Sequence, residues 1–191
     1  LKYIRDIYDK SSINSKYQDY FFYLKINGRQ IYFIKTDEIE TNNGHILIIG
    51  FKGKIRGVDL KYVLKEAHRQ HCIIIANHPL HKFGISYFLV KKILGGQDRI
   101  SLTKENIKSY QNYFNALELN SYFPEDWKEV RKFAKKIKEP IVSESDSHFL
   151  NEIFTSWYET DNLNFESPTS FKKYLKRALI KGVELHAHKY G

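Results

Sequence analysis

Residues 72–79, CIIIANHP, form the stretch that decides the fold. Three isoleucines and an alanine follow the cysteine without a charge, and an amide and an imidazole come directly after them. A short continuous apolar run of this kind predicts a buried strand. The segments on either side, VDLKYVLKEAHRQ (58–70) and ISYFLVKKIL (85–94), have helical patterns. The residues of the first segment that are spaced for one helix face are Val58, Tyr62, Val63 and Ala67.

The same alternation of strands and helices continues along the chain. Further strands are predicted at HILIIGF (45–51), NALELN (115–120) and PIVSES (140–145), and further helices at ENIKSYQNYF (105–114), PEDWKEVRKFAKKIK (124–138) and SFKKYLKRALIKG (170–182). Near the amino terminus, Asn27-Gly28 lies between YQDYFFYLKI (17–26) and QIYFIK (30–35), which predicts a β-hairpin. No linker divides the chain, so we expect a single domain over residues 1–191. Short apolar strands between helices favour parallel pairing in an α/β architecture, either open or barrel-like.

Composition limits the class of protein. Hydrophobic residues make up 42% of the 191 residues, which is enough to fill a single core. The apolar runs are too short to cross a bilayer. The single cysteine, Cys72, excludes an internal disulfide and fits a reducing compartment. We therefore expect a soluble, cytoplasmic protein without a membrane partner, in which Cys72 is a small buried side chain.

The charge balance favours anionic partners. The formal net charge is +9, from 31 Lys and Arg against 22 Asp and Glu. Phosphorylated metabolites, nucleotides and nucleic acid are the partners that such a balance attracts. The lysines are spread over helical patterns, however, and solvated helix faces explain them more simply. A basic domain that binds nucleic acid, with bases stacked on some of the 14 Tyr and 13 Phe residues, is one hypothesis. Most of those aromatic residues lie in runs that are typical of a core.

Ligand-type side chains follow the predicted strands. These residues are Glu38, His45, His78, Asn120, Asp146 and His148. The carboxyl ends of parallel strands form one rim in α/β folds, so residues far apart in sequence are expected to converge there. Two carboxylates with three imidazoles suit Zn²⁺, Mn²⁺ or Fe, whereas Ca²⁺ and Mg²⁺ prefer oxygen ligands. The pattern therefore predicts a metal site at this rim.

Each of these residues also has an ordinary structural explanation. His78 precedes Pro79 and could simply end a strand. Asp146 could cap the turn that follows it. Glu38 lies in the acidic stretch DEIE and could be a solvated turn residue. Their occurrence at successive strand ends favours the site over these separate explanations.

Four stretches in order resemble the PHP (polymerase and histidinol phosphatase) superfamily of metal-dependent phosphoesterases. They are DEIETNNGHILIIG (37–50), IIIANHPLHKFG (73–84), ALELNS (116–121) and IVSESDSHFLNEI (141–153). The resemblance implies a distorted TIM-like (β/α)₇ barrel. It also implies two or three divalent metal ions (Mn, Zn or Fe) at the carboxyl end of the strands.

The resemblance assigns roles to particular residues. The metal ligands it implies are Glu38, His45, His78, Asp146 and His148, of which His78, Asp146 and His148 would act in catalysis. Asn120 matches a position at a strand end near the substrate, and His81 and Lys82 lie where a phosphate contact is expected.

The family pattern also contains a His-x-His motif and an Asp-His pair that should precede residue 38. Residues 1–37 contain no histidine, so either upstream residues are missing or the chain is a degenerate member. His186 and His188 form His-x-His near the carboxyl end, where a polar tail is the simpler interpretation. We leave them out of the ligand set.

The sequence therefore predicts a hydrolase that cleaves a phosphate ester by means of metal-activated water. The substrate would be a small phosphorylated metabolite, a nucleotide or an oligonucleotide. The alternative is a catalytically impaired PHP-like module for binding or assembly, with an incomplete metal site.

Overall fold

A computed structural model describes residues 21–26, 29–55, 57–82, 101–147, 156–158, 172–173, 175–177 and 185–187. The strands are β1 (Phe21–Ile26), β2 (Arg29–Ile34), β3 (Thr36–Thr41), β4 (Gly44–Ile49), β5 (Ile73–Ala76), β6 (Ala116–Asn120), β7 (Ile141–Glu144), β8 (Ser156–Tyr158) and β9 (Leu185–Ala187). The helices are α1 (Leu60–Arg69), α2 (Lys104–Ser109) and α3 (Trp127–Ile137), with short 3-10 turns at Gln111–Tyr113 and Pro124–Asp126. The helix predicted at 85–94 lies outside the described residues.

The central element is a five-stranded mixed sheet with the order β3-β4-β5-β6-β7. The pairings β3–β4 and β4–β5 are antiparallel, and β5–β6 and β6–β7 are parallel. The prediction of a distorted TIM-like (β/α)₇ barrel is therefore wrong. The described residues form an open α/β sheet. Two further pairs, β1–β2 and β8–β9, are antiparallel, and Ile26 lies opposite Arg29 as the Asn27-Gly28 hairpin signal predicts.

Two connections explain why the sheet is mixed. A two-residue turn, Asn42–Asn43, joins β3 to β4, and so short a connection permits only antiparallel pairing. After β4 the chain returns to this turn before α1 begins, because Asn42 N–H donates to Val58 O at 2.7 Å and Leu60 N–H donates to Asn42 Oδ1 at 3.1 Å. Helix α1 then runs back along the sheet, so β5 starts beside the end of β4, with Ile73 opposite Ile49.

Helix α1 begins later than the sequence pattern predicts and buries a different set of residues. Asp59 is the N-cap and accepts a hydrogen bond from Tyr62 N–H at 2.7 Å, so the helix begins at Leu60. Its buried residues are Leu60, Val63, Leu64 and Ala67. Val63 and Ala67 were correctly predicted, whereas Val58 and Tyr62 are 64% and 48% exposed.

One face of the sheet packs against the helices. Ile46, Ile48 and Ile74 are fully buried there, and residues of α1, α2 and α3 complete this core. The other face carries a smaller apolar cluster. Its buried members are Ile73, Ile75, Ala116 and Val142, and Leu47, Ile49 and Leu175 pack against it. Side chains alternate along a strand, so polar residues two positions away from these apolar residues on the same strand project from the same second face.

Candidate metal centre

The polar residues of the second face collect at one end of the sheet. His45 continues the row of Leu47 and Ile49 at the start of β4, and Glu38 lies directly opposite Leu47 on β3. His78 follows the end of β5. Glu118 on β6 shares its face with Ala116. The amino end of β4 and the carboxyl ends of β5, β6 and β7 therefore form one edge that is rich in ligand-type side chains.

Glu38, His45 and His78 converge at this edge. His45 Nδ1 lies 2.8 Å from Glu38 Oε1, and His78 Nε2 lies 3.7 Å from the same oxygen. The two imidazole rings meet edge to face, with their centroids 4.9 Å apart. One ligand atom from each of the three residues lies within 4.8 Å of the others. These two histidines hold the pKa of the Glu38 carboxyl well below its ordinary value, so Glu38 is ionised at neutral pH.

Two further polar residues position this group. Asn77 Nδ2 donates to Glu38 Oε1 at 2.8 Å, which leaves the carboxylate oxygen shared between an amide and two imidazoles. The backbone N–H of His78 donates to Glu118 Oε2. Glu118 is almost fully buried, so it fixes the start of the segment that follows β5 from inside the protein. Asn77 and Glu118 thus orient a carboxylate ligand and an imidazole ligand respectively.

The donor set fits a divalent ion. Two ligand atoms that are each about 2.1 Å from a tetrahedral ion lie about 3.4 Å apart. The 3.7 Å between His78 Nε2 and Glu38 Oε1 is close to that value, whereas the 2.8 Å between His45 Nδ1 and Glu38 Oε1 is the length of a hydrogen bond. Buried polar atoms normally have a partner. Within the described part of the chain, however, His45 Nε2, His78 Nδ1 and Glu118 Oε1 have no hydrogen-bond partner. The two unpartnered imidazole nitrogens are the opposite ring atoms from those that lie near Glu38 Oε1, so each ring has a second nitrogen at which a metal ion or a water can bind.

Asp146 lies beside this group but is not part of it. Its carboxylate oxygen Oδ2 accepts a hydrogen bond from Asn120 Nδ2 at 3.0 Å, which joins the ends of β6 and β7. His78 and Asp146 both have positive φ angles, 26° and 48°. Asp and His adopt this left-handed region more readily than most residues other than glycine. Two of the five predicted ligands therefore have left-handed backbone conformations at this edge.

The carboxyl groups of this edge repel one another. Burial raises the pKa of Glu118 well above its ordinary value, and the neighbouring charge of Glu144 raises it further. Loss of hydration, followed by the charges of Asp146 and Glu38, raises the pKa of Glu144 to about 8. Four carboxyl groups thus share a small region, and the pKa values of two of them, Glu118 and Glu144, are raised. A cation bound here would relieve this repulsion.

His81 borders the candidate centre through Phe123. The His81 ring stacks on Phe123 with the ring centroids 3.6 Å apart. The His78 ring meets Phe123 edge to face with the ring centroids 6.1 Å apart. His81 Nδ1 lies 2.6 Å from Asp126 Oδ2. His81, Glu125 and Asp126 form a second group whose ligand atoms lie within 4.8 Å of one another. Lys82 is exposed, and its charge helps to lower the pKa of Glu129.

The described residues thus bring together three of the five predicted ligands, Glu38, His45 and His78. Asp146 is adjacent through Asn120, and His148 lies outside the described residues. His188 also lies outside them, and the backbone at His186 belongs to β9. Sequence reasoning missed the roles of Asn77, Glu144 and Asp126. The signal for Glu144 was available, because alternation along β7 places it on the same face as the buried Val142.

The fold and this edge define an open α/β protein with a candidate divalent-metal centre. The sequence matches no protein-family model, and no curated protein matches it. The fold is similar to that in the crystal structure of PsfC from Pseudomonas syringae PB-5123, with a TM-score of 0.55 and 12% sequence identity over 86% of this chain. This chain spans 62% of the PsfC chain. At this identity the similarity concerns the fold alone. No helix in the described ranges has the length and apolar character needed to cross a membrane.

Proposed function

We propose that this chain is a metal-dependent phosphoesterase of the PHP type, with Glu38, His45 and His78 as metal ligands. The observation that carries the proposal is the convergence of these three side chains from β3, β4 and the end of β5. Their ligand atoms lie within 4.8 Å of one another, and both imidazoles approach the same oxygen of an ionised carboxylate. Imidazole and carboxylate ligands together suit Zn²⁺, Mn²⁺ or Fe.

A divalent ion bound there would neutralise phosphoryl oxygens and lower the pKa of a bound water. The protein residues would supply the alignment. Asn77 holds the Glu38 oxygen at 2.8 Å and keeps it directed at both imidazoles. Glu118 holds the His78 backbone and so fixes the position from which the ring reaches the site.

Asp146 and Asn120 are proposed to complete the site on the β6–β7 side. The amide of Asn120 donates to Asp146 Oδ2 at 3.0 Å and so orients the carboxylate. In this position Asp146 serves either as a further ligand or as the group that orients a water for attack on phosphorus. His148, which the family resemblance also implies as a ligand, is two residues further along the chain.

His81 is proposed to contact the substrate. Its Nδ1 is held by Asp126 at 2.6 Å, and its ring is fixed against Phe123. A neutral histidine whose Nδ1–H donates to a carboxylate has Nε2 as its basic nitrogen. This arrangement suits a residue that takes up a proton at Nε2; once protonated there, the ring can donate to a phosphoryl oxygen or pass the proton to the leaving group.

A second candidate function is a PHP-like binding or assembly module without turnover. One observation favours it: the described residues supply one group of three ligands at this edge, whereas catalytic PHP sites use two or three ions. This module would hold less than one tightly bound ion per chain and would release no phosphate.

Phosphate release tests the proposal. Purified protein loaded with Mn²⁺ should hydrolyse an aryl phosphate, and His78→Ala and Asp146→Ala should each reduce the rate about a hundredfold or more. His71→Ala, at the opposite end of β5, is the matched control and should retain the rate. Equal rates in all four proteins would exclude this site as the catalytic centre. If the metal-loaded wild-type protein releases no phosphate, that result favours the binding module.

A further inference from the structure

A cavity of about 540 Å³ lies at the opposite end of the sheet from the candidate metal centre. Residues at the start of β5 line it, whereas His78 follows the end of that strand. Its basic lining residues are Lys172, Lys173, Lys176, His68 and His71, and Tyr113 lines it as well. We call this space the basic cavity. Its volume falls within the range that small-molecule sites occupy in proteins.

The charge in the basic cavity is one-sided. Three ammonium groups and two imidazoles line it, and none of its described lining residues carries a carboxyl group. Burial raises the pKa of Cys72, which lines the cavity, and Asp37 is close enough to raise it further. The Asp37 carboxylate, however, pairs with Lys35 Nζ at 3.6 Å. Low-dielectric walls strengthen the field of such unbalanced charges, so the cavity attracts anions.

Contacts across the cavity hold its walls together. Lys172 Nζ donates to Gln70 O at 2.8 Å, which ties the residues around position 172 to the end of α1. The Lys172 stem passes so close to Gly50 that a Cβ at that position would lie 2.7 Å from Lys172 Cε. Gly50, which has a φ of +81°, lacks a Cβ and therefore leaves space for the Lys172 side chain to reach the cavity.

The remaining wall suits an organic ring. The rings of His68 and Tyr113 meet edge to face with their centroids 5.3 Å apart, and they present a partly apolar surface beside the ammonium groups. Lysine is a common phosphate-binding residue, and aromatic rings stack on planar groups. The cavity therefore combines the two kinds of contact that a phosphorylated molecule with a ring requires.

We propose that the basic cavity binds a small organic phosphate, with its phosphoryl groups on Lys172, Lys173 and Lys176 and its ring system near Tyr113. This site is separate from the candidate metal centre, and the proposal does not rest on the phosphoesterase activity. A nucleoside diphosphate has the size and charge that the cavity fits.

Calorimetric titration with ADP, pyrophosphate and adenosine tests this proposal. The background protein should carry His78→Ala, so that phosphate binding at the metal centre does not contribute. We expect ADP and pyrophosphate to bind and adenosine to bind much more weakly. Lys173 and Lys176 are exposed, so K173Q/K176Q should stay folded and bind ADP about tenfold more weakly or worse.

K61Q/K135Q is the matched control, because Lys61 and Lys135 are exposed elsewhere and its change in net charge is the same. It should keep the wild-type affinity. Equal affinity for adenosine and ADP would overturn the proposal. So would no binding of either phosphate at millimolar concentration, or equal losses in the two double variants.

Discussion

His45 Nδ1 lies 2.8 Å from Glu38 Oε1, although the two residues belong to different strands. The antiparallel register of β3 and β4 produces this contact, since it places Glu38 opposite Leu47 and therefore one residue pair from His45 on the same face. His78 reaches the same oxygen from the end of β5. β3 and β5 run in one direction and β4 runs in the other, and together they bring one carboxylate and two imidazoles to a single point.

Asn77→Ala should weaken metal binding without unfolding the protein. Asn77 Nδ2 donates to Glu38 Oε1 at 2.8 Å, and loss of such an outer hydrogen bond typically lowers metal affinity about 10- to 100-fold. Calorimetric titration with Zn²⁺ measures the change. Asn112→Ala, an exposed asparagine at the other end of the sheet, is the control and should bind as the wild type does. An unchanged affinity in Asn77→Ala would show that Asn77 does not orient Glu38.

Glu118→Gln should stabilise the metal-free protein increasingly as the pH rises. Burial raises the pKa of Glu118 well above its ordinary value, so the folded state keeps this proton after the unfolded state has lost it. Stability therefore declines as the pH rises from about 4.3, the ordinary pKa of glutamate, towards the raised pKa. Glutamine does not ionise, and its side-chain oxygen can still accept the His78 N–H bond.

The measurement is urea denaturation at pH 5 and pH 8 with a chelator present. The free energy of unfolding of Glu118→Gln relative to wild type should increase between the two values. Glu105→Gln, at an exposed position on α2, should show no such increase. A difference that stays constant with pH would mean that Glu118 is already ionised in the folded protein.

Ile74→Ala should test the central strand. Ile74 is fully buried between the sheet and the helices, and truncation of such a residue costs about 2–5 kcal/mol because it leaves a cavity. Urea denaturation measures the loss. Val58→Ala is the control, since Val58 is 64% exposed and should cost less than about 0.5 kcal/mol. A small cost at Ile74 would place β5 at the surface.

Gly50→Ala should destabilise the protein by about 1 kcal/mol or more. The φ of Gly50 is +81°, and a Cβ there would lie 2.7 Å from Lys172 Cε. Gly53→Ala separates the two causes, because Gly53 also has a positive φ of +103° but its Cβ would meet only Phe51 at 4.0 Å. If Lys172 packs as described, Gly50→Ala should cost more than Gly53→Ala. Equal losses of stability in the two variants would mean that the positive φ alone, and not contact with Lys172, disfavours alanine at position 50.

Much of the fold was predictable from periodicity. The apolar runs before Asn77, Asn120 and Ser145 form β5, β6 and β7, and amphipathic spacing located α1 and α3. The prediction of a barrel was wrong because the direction of each strand depends on the connection that precedes it. The return of the chain to Asn42 before α1 rests on hydrogen bonds of Val58 and Leu60 that carry no periodic signal.

Glu38, His45 and His78 lie close together, but not by the predicted arrangement of carboxyl strand ends. Glu38 lies inside β3, and His45 lies at the amino end of β4, which runs opposite to the direction that a barrel requires. The contribution of Glu118 was not predictable, because it acts through the backbone N–H of His78 from a buried position on β6. Side-chain periodicity does not report such a contact.

Zn²⁺ titration of chelator-treated protein tests the central claim most directly, namely that Glu38, His45 and His78 hold a divalent ion. The two variants to compare are E38Q/H45Q/H78Q and E66Q/H68Q/H71Q, which change the same residue types, and circular dichroism checks their folding. We predict that the wild-type protein and the second variant bind Zn²⁺ tightly and that the first variant loses this binding. Wild-type affinity and stoichiometry in folded E38Q/H45Q/H78Q would contradict the claim.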